Sequence, residues 1–162
     1  MLTNSHIVIY ASFLCKKSMK KNVCLALLAG IICSGAVAQS VDLFTAKKIA
    51  ENYCHQMSNG KNFTVSETYT RQNNGKAIYY ILNFNEGGFA VVSADEKANP
   101  VIAYSTENQF DLQMKNPALK SWMNAYANEI EAIMQADVQA SDKVQQDWEN
   151  LKNGKVSAAG KS

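Results

Sequence analysis

Cys54 and His55 are the residues whose types could carry out nucleophilic chemistry, because a thiolate activated by an imidazole is a common attacking pair. Neighbouring side chains on a helix point about 100° apart, so these two would not face each other. After residue 38 the chain has no second cysteine and no second histidine. A disulfide, a histidine-rich metal site and a Ser-His-Asp triad therefore lack their residues, and a partly buried structural cysteine is the favoured interpretation.

Two further pairs of polar residues have spacings that could do chemistry. Ser93 and Asp95 have the types of a nucleophile and its acid, but no histidine is near them in sequence, so side chains that cap a turn are favoured. Glu129 and Glu131 stand two apart in a helical segment and diverge, which disfavours a paired-carboxylate site. The sequence has no Cys-x-x-Cys, phosphate-loop or His-Glu-x-x-His motif. We therefore expect no enzyme, no cofactor and no metal site.

The composition is that of one globular domain, with 162 residues of which 9% are aromatic and 19% charged. The formal net charge is +2, but four lysines fall within the first 21 residues, where there is no acidic residue. From Gln39 onward, eleven lysines and Arg71 face fourteen acidic residues. A net negative domain has no electrostatic basis for binding phosphate backbones, so we expect no nucleic-acid partner.

Residues 1–38 have the pattern of a secretory signal peptide. Lys20 and Lys21 precede the apolar run 23–33, and an Ala-Val-Ala cleavage motif ends at Ala38, ahead of Gln39. The run is shorter than the roughly 20 residues that span a bilayer, so we expect no membrane insertion after cleavage. The protein is predicted to be exported, to a periplasmic or extracellular location. Residues 1–18 are a second apolar stretch, which favours Met19 as the true start.

Hydrophobic spacing predicts the elements that must position these residues. Apolar residues at three- and four-residue steps indicate a helix over 42–57, and Asn116-Pro117 and Ser141 start two later helices. Apolar and β-branched runs predict strands over 63–69, 77–84, 89–92 and 100–104. The order predicts the α+β class, with a roughly four-stranded antiparallel sheet and helices packed on one face. The domain is expected to span 39–154, followed by a flexible tail, 155–162.

Several spaced elements resemble a known family. Gly87-Gly-Phe-Ala-Val-Val-Ser-Ala-Asp95 is followed by Pro100-Val-Ile-Ala-Tyr-Ser105 and by a helix with Met123, Tyr126 and Ile130. This order resembles the prodomain of the streptopain family of papain-fold cysteine peptidases, also found as free-standing Spi-type inhibitors, over roughly residues 42 to 152. Ala103 stands where the family commonly has glycine, and either residue suits a strand. Because the sequence ends at Ser162, we expect the inhibitory half with no protease attached.

The resemblance implies a protease-contact region. In the resembling prodomains, part of the sheet and its loops enters the cleft and holds the catalytic histidine away from the thiolate. The candidates for that contact here are Asn83, Asn85, Glu86, Gly87 and Gly88. Two adjacent glycines permit positive φ and a close approach of the turn backbone to a surface. The alternative from spacing alone is a hairpin turn with no further role.

The other motif residues are expected to be structural. They are Phe89, Val92, Ser93, Asp95, Pro100, Tyr104, Ser105, Trp122 and Tyr126. The large apolar members, with Val91, are expected in the core. The leading hypothesis is an exported, non-enzymatic inhibitor of a streptopain-like cysteine protease. Two alternatives stay open: a prodomain acting in trans as a folding chaperone for a separately encoded protease, and an exported binding module that keeps only the scaffold.

Overall fold

The computed structural model describes residues 40–155, so the predicted signal peptide and residues 156–162 of the predicted tail lie outside the described residues. The described chain forms helix α1 (Leu43–Met57), strands β1 (Val65–Asn73), β2 (Lys76–Phe84), β3 (Phe89–Ser93) and β4 (Val101–Ser105), and helices α2 (Pro117–Gln135) and α3 (Asp142–Lys152). None of these helices is long and apolar enough to cross a membrane.

Side-chain caps start all three helices. The Asp42 carboxylate accepts a hydrogen bond from the Thr45 N–H at 2.7 Å, ahead of α1. Asn116 caps α2, whose first residue is Pro117, and Ser141 caps α3. Each cap satisfies one of the N–H groups that have no partner within the helix. The predicted starts of α2 and α3 are confirmed.

The four strands form one antiparallel sheet in the order β1-β2-β3-β4, which confirms the predicted class and sheet. β1 begins and ends later than the predicted strand over 63–69. Its last residues are polar and half-buried or exposed, because β1 is an edge strand with one neighbour. Phe63 is buried just before the strand, where it packs on Phe84 with the ring centroids 5.1 Å apart.

Helices cover both faces of the sheet, which corrects the predicted packing on one face. Helices α1 and α3 pack on the face that includes Tyr80, Leu82 and Phe84. Helix α2 packs on the opposite face, against Tyr79 and Ile81. Successive strand residues point to opposite faces, so a strand covered on both sides is a continuous apolar run instead of an alternating one. β2 is such a strand.

The loop between β3 and β4 ties the sheet to two helices. The Lys97 ammonium donates to the carbonyl oxygens of Met134 and Ala136, both at 3.1 Å, where α2 ends. These carbonyls have no partner within the helix, and a cation there also suits the helix dipole. The Trp148 indole N–H donates to the carbonyl of Ala98 at 2.9 Å, which fixes α3 to the same loop.

Candidate functional site

Three connecting segments meet at one end of the strands of the sheet. Because the strands are antiparallel, β1 and β3 begin at the end where β2 and β4 finish. The segment 58–64 leads into β1, the turn 85–88 joins β2 to β3, and the loop 106–110 follows β4. We call this end of the sheet the loop end. It contains the predicted contact turn.

The turn 85–88 projects two exposed side chains, those of Asn85 and Glu86. The Phe84 N–H donates to the Gly88 carbonyl at 3.2 Å, and the Gly87 N–H donates to the Phe84 carbonyl at 3.3 Å. The two glycines have φ of +82° and +92°, which side chains on L-residues rarely allow. The turn therefore has a closed backbone and an accessible tip.

The glycine pair lets this turn pack against the loop that follows β4. A Cβ on Gly87 would lie 2.6 Å from the carbonyl oxygen of Glu107, and one on Gly88 would lie 2.5 Å from that of Ser105. Gly88 is buried and Gly87 is half-buried. The close backbone approach expected toward a partner's surface is thus made inside the protein.

Asn83 anchors the loop after β4 and does not reach the surface. Its side chain is 2% exposed. The amide nitrogen donates to the Phe110 carbonyl at 3.1 Å, and the amide oxygen accepts from the Phe110 N–H at 2.8 Å. This position corrects its candidacy as a group that enters a cleft. A polar residue inside a buried strand is the sequence signal that could have indicated an anchor, because buried amides need partners.

Glu86 holds the turn to the segment before β1. Its carboxylate accepts from the Thr64 N–H at 2.8 Å, and the Lys61 ammonium donates to its backbone carbonyl at 3.1 Å. The hydrogen bond from Thr64 lowers the pKa of the Glu86 carboxyl. The Asn85 N–H also donates to the Thr64 carbonyl, at 3.0 Å. Within residues 40–155 the Asn85 side chain makes no hydrogen bond, so it is the candidate left available to a partner.

The loop after β4 is held by its own polar groups. The Ser105 hydroxyl accepts from the N–H groups of Glu107 and Asn108, at 3.2 and 3.1 Å. The Gln109 amide donates to the Phe84 carbonyl at 2.9 Å. Glu107, Asn108 and Gln109 are nevertheless exposed. The sequence hypothesis missed this loop, because only the folded chain brings it beside the turn.

Most other motif residues have structural contacts. Phe89 packs edge-to-face on Phe110 with the ring centroids 5.1 Å apart. The Asp95 carboxylate accepts from the Lys97 N–H at 2.8 Å, and the Ser93 hydroxyl accepts from the Asp95 N–H at 3.4 Å. These are the local backbone bonds of a capped turn. Val91, Val92, Ser93, Asp95 and Pro100 are all buried.

Tyr104 and Trp122 are not core residues, which corrects the expectation for both. Tyr104 is 44% exposed because it lies on the edge strand β4, where it packs edge-to-face on Tyr53 at 5.0 Å between ring centroids. Trp122 is 41% exposed and packs in the same manner on half-buried Tyr126, at 4.6 Å. Helical spacing predicts an apolar stripe, but it does not show where the cover provided by neighbouring elements ends.

Cys54 is buried, and its sulfur lies 3.9 Å from the Phe89 carbonyl oxygen. Burial raises the pKa of this thiol to about 12, so it carries almost no thiolate at neutral pH. His55 is exposed. In the described part of the chain, no three His, Cys, Asp or Glu side chains are grouped to hold a metal ion.

Known proteins are similar to the part of the chain that contains the loop end. The model of a family described as Spi protease inhibitor matches residues 38–130, a range that includes the whole loop end. The thiol protease/hemagglutinin PrtT of Porphyromonas gingivalis is 25% identical over 126 residues. The matched region covers 76% of this chain and 14% of that protein.

Proposed function

The chain belongs to the Spi protease inhibitor family, and from that premise we propose that it inhibits a cysteine peptidase of the streptopain type by placing the turn 85–88 in the active-site cleft. Family membership supports a non-enzymatic role as a protease inhibitor or propeptide. The peptidase class and the contact turn are what we add.

The observation that carries the proposal is an exposed Asn85 on a turn that is fixed from both sides. Its backbone N–H is bonded to Thr64, and the two glycines at the end of the same turn lie against Ser105 and Glu107. A preorganised loop loses little conformational freedom on binding, so more of the contact energy appears as affinity. A single free amide at such a tip can donate and accept in a polar cleft.

Two findings support a thiol peptidase as the target. PrtT is named as a thiol protease, and its match covers most of this chain. The string from Gly87 to Ser105 also resembles streptopain-family prodomains. A peptidase cleft is a preformed concave surface that a projecting turn can fill.

The geometry also accounts for inhibition without cleavage. The backbone of the turn is held in a tight conformation by the hydrogen bonds among Phe84, Gly87 and Gly88. Extending this backbone along a cleft would break those bonds and separate the turn from the loop after β4. The turn would therefore occupy the cleft in a conformation that keeps its peptide bonds away from the attacking sulfur.

Titration of streptopain with the purified protein tests this function, with papain as the comparison enzyme. We expect loss of streptopain activity at stoichiometric amounts. Asn85→Ala should raise the inhibition constant at least tenfold, because its side chain is free for the partner, while the free energy of unfolding stays unchanged. Asn128→Ala, at an exposed position of α2, is the matched control. Unchanged streptopain activity at excess inhibitor would reject the function.

A second role is favoured by the length of the matched relative. Because the match covers only 14% of PrtT, the corresponding region there is a small part of a protease. We propose as the alternative that this chain assists the folding of a peptidase in trans. Refolding the peptidase with and without the protein separates the roles, since a folding assistant raises the yield without lasting inhibition.

We also propose export through the predicted leader, with cleavage before Gln39.

A further inference from the structure

The turn 85–88 is too small to form a stable interface alone. A stable protein–protein interface buries roughly 800 Å² on each partner and involves about 20–30 residues a side. Any partner that holds Asn85 must therefore also contact other parts of the loop end. The two neighbours of the turn are the segment 58–64 and the loop 106–110.

The loop after β4 is in direct backbone contact with the turn, at distances too short for a side chain to stand between them. The missing side chains of Gly87 and Gly88 let the turn backbone lie against the backbone at Ser105 and Glu107. The Gln109 amide adds a hydrogen bond to the Phe84 carbonyl at the base of the turn. The turn and the loop thus present one continuous surface.

A buried amide fixes the position of that loop. Both polar atoms of the Asn83 side chain bond to Phe110, at 2.8 and 3.1 Å, in a site where the residue is 2% exposed. Burying an amide is unfavourable unless its hydrogen bonds are satisfied. Both partners of the Asn83 amide belong to one residue of the loop, Phe110. The two hydrogen bonds therefore fix the position of the loop relative to β2.

Two exposed side chains of the loop, unlike that of Gln109, have no polar partner among residues 40–155. In the described part of the chain, the side chains of Glu107 and Asn108 make no hydrogen bond or ion pair. In the segment 58–64, the Ser58 hydroxyl and the Lys61 ammonium are bonded within the chain, while the exposed side chains of Asn59 and Asn62 make no hydrogen bond among the described residues. Available polar side chains therefore occur in both neighbours, but only the loop after β4 also lies in direct backbone contact with the two glycines of the turn.

We infer that the loop 106–109 is a second protease-binding loop, with Glu107 and Asn108 as contact residues and Asn83 as the positioning residue that sets the loop beside the turn. This inference rests on the proposed function, because the partner is the same peptidase. A carboxylate at the rim of an interface acts through charge, mainly on the association rate, and the amide acts through hydrogen bonds.

The test measures inhibition of streptopain by the full chain and by two surface variants, Glu107→Arg and Asn108→Ala. Each should raise the inhibition constant at least tenfold without changing the free energy of unfolding, and the effect of Glu107→Arg should shrink as salt is added. Glu129→Arg and Asn128→Ala make the same chemical changes at exposed positions of α2 and should change the constant less than twofold.

A double-mutant cycle tests the role of Asn83 as a positioning residue. Asn83→Leu should weaken inhibition, and Asn108→Ala should then have little further effect, because the loop is already displaced. Additive effects of the two changes would contradict positioning and leave Asn83 with a role in stability alone. The measurements are made well below the unfolding temperature, and the surface variants decide the outcome if Asn83→Leu does not fold.

The outcomes separate the inference from the function on which it rests. If the unsubstituted protein does not inhibit streptopain, the proposed function fails and this inference fails with it. If the unsubstituted protein inhibits and Asn85→Ala weakens inhibition, but Glu107→Arg and Asn108→Ala inhibit fully, only the second loop is overturned.

Discussion

Burial decides what Cys54 can do. Its thiol lies on the buried side of α1, against the Phe89 carbonyl of the sheet, and this burial raises its pKa to about 12. A thiol attacks only as the thiolate, so the sulfur is inert at neutral pH although a histidine follows it in sequence. The neighbouring imidazole is exposed and does not change that result.

We predict that iodoacetamide at pH 8 leaves Cys54 of the folded protein unmodified under conditions that alkylate the urea-unfolded chain. The protonated thiol also contributes stability below the unfolded pKa of 9.0 that is lost as the pH rises toward about 12. Cys54→Ala should remove this part of the alkaline loss of unfolding free energy. Rapid alkylation of the folded protein would contradict the buried site, and mass spectrometry measures it.

Glu86 gives the turn a dependence on acid pH. The Thr64 N–H lowers the pKa of its carboxyl, so the carboxylate stabilises the fold above its usual pKa of 4.5, and this contribution is lost as the pH falls through the lowered value. Glu86→Gln should therefore lower the unfolding temperature at pH 6, and the deficit should shrink as the pH is lowered. A deficit of the same size across the acid range would contradict this role.

Residue types predict the turn on which the candidate contact residues lie. The glycine turn that carries Asn85 and Glu86 is predictable from sequence, because turn residues and glycines are local signals. A protease contact at these two residues is implied only by the family resemblance and stays a prediction. The buried anchor at Asn83 and the exposure of Tyr104 and Trp122 were not predicted. Both depend on which elements cover a residue, and local sequence does not contain that information.

At the scale of elements, the turn and the loop after β4 form one unit because two glycines of the turn let the two backbones come into contact. Gly88 has φ of +92°, and a Cβ there would lie 2.5 Å from a backbone oxygen. Gly75, in the turn between β1 and β2, has φ of +75° and nothing within 4 Å of its Cβ position. The two positions share the strain of a positive φ and differ in the contact.

We predict that Gly75→Ala lowers the free energy of unfolding by about 1–2 kcal/mol, the cost of a left-handed conformation for a residue with a Cβ. Gly88→Ala should lower it further, because the loop 106–110 must also move. Urea unfolding measures both variants. Equal losses would show that the turn does not need this close approach. A Gly88 variant therefore reports on the fold, and Asn85→Ala is the substitution that reports on the contact.

The elements themselves were largely predictable. Caps at Asn116 and Ser141 and the apolar stripe of α2 are local features, and the strands follow from β-branched and aromatic runs. Their packing was predicted less well. A strand with a continuous apolar run is compatible with cover on both faces, and the one-face arrangement was wrong because β2 is covered by α1 and α3 on one side and by α2 on the other.

At the scale of the whole described domain, residues 40–155, the sheet is a base that carries the loop end. Helices cover its two faces, and the connecting segments at the loop end leave Asn85, Glu107 and Asn108 exposed. A rigid body with an exposed end can block a cleft without a large conformational change. We propose that this end shields the catalytic sulfur of a peptidase.

Alkylation of the catalytic thiol of streptopain by iodoacetamide tests that claim most directly. Cys54→Ala is used as the inhibitor, so that the peptidase supplies the reactive sulfur. We predict that a stoichiometric amount slows alkylation at least tenfold, and that adding Asn85→Ala to the same inhibitor restores most of the rate. Alkylation at the rate of the free enzyme, in a complex that size-exclusion chromatography shows to be intact, would contradict the claim.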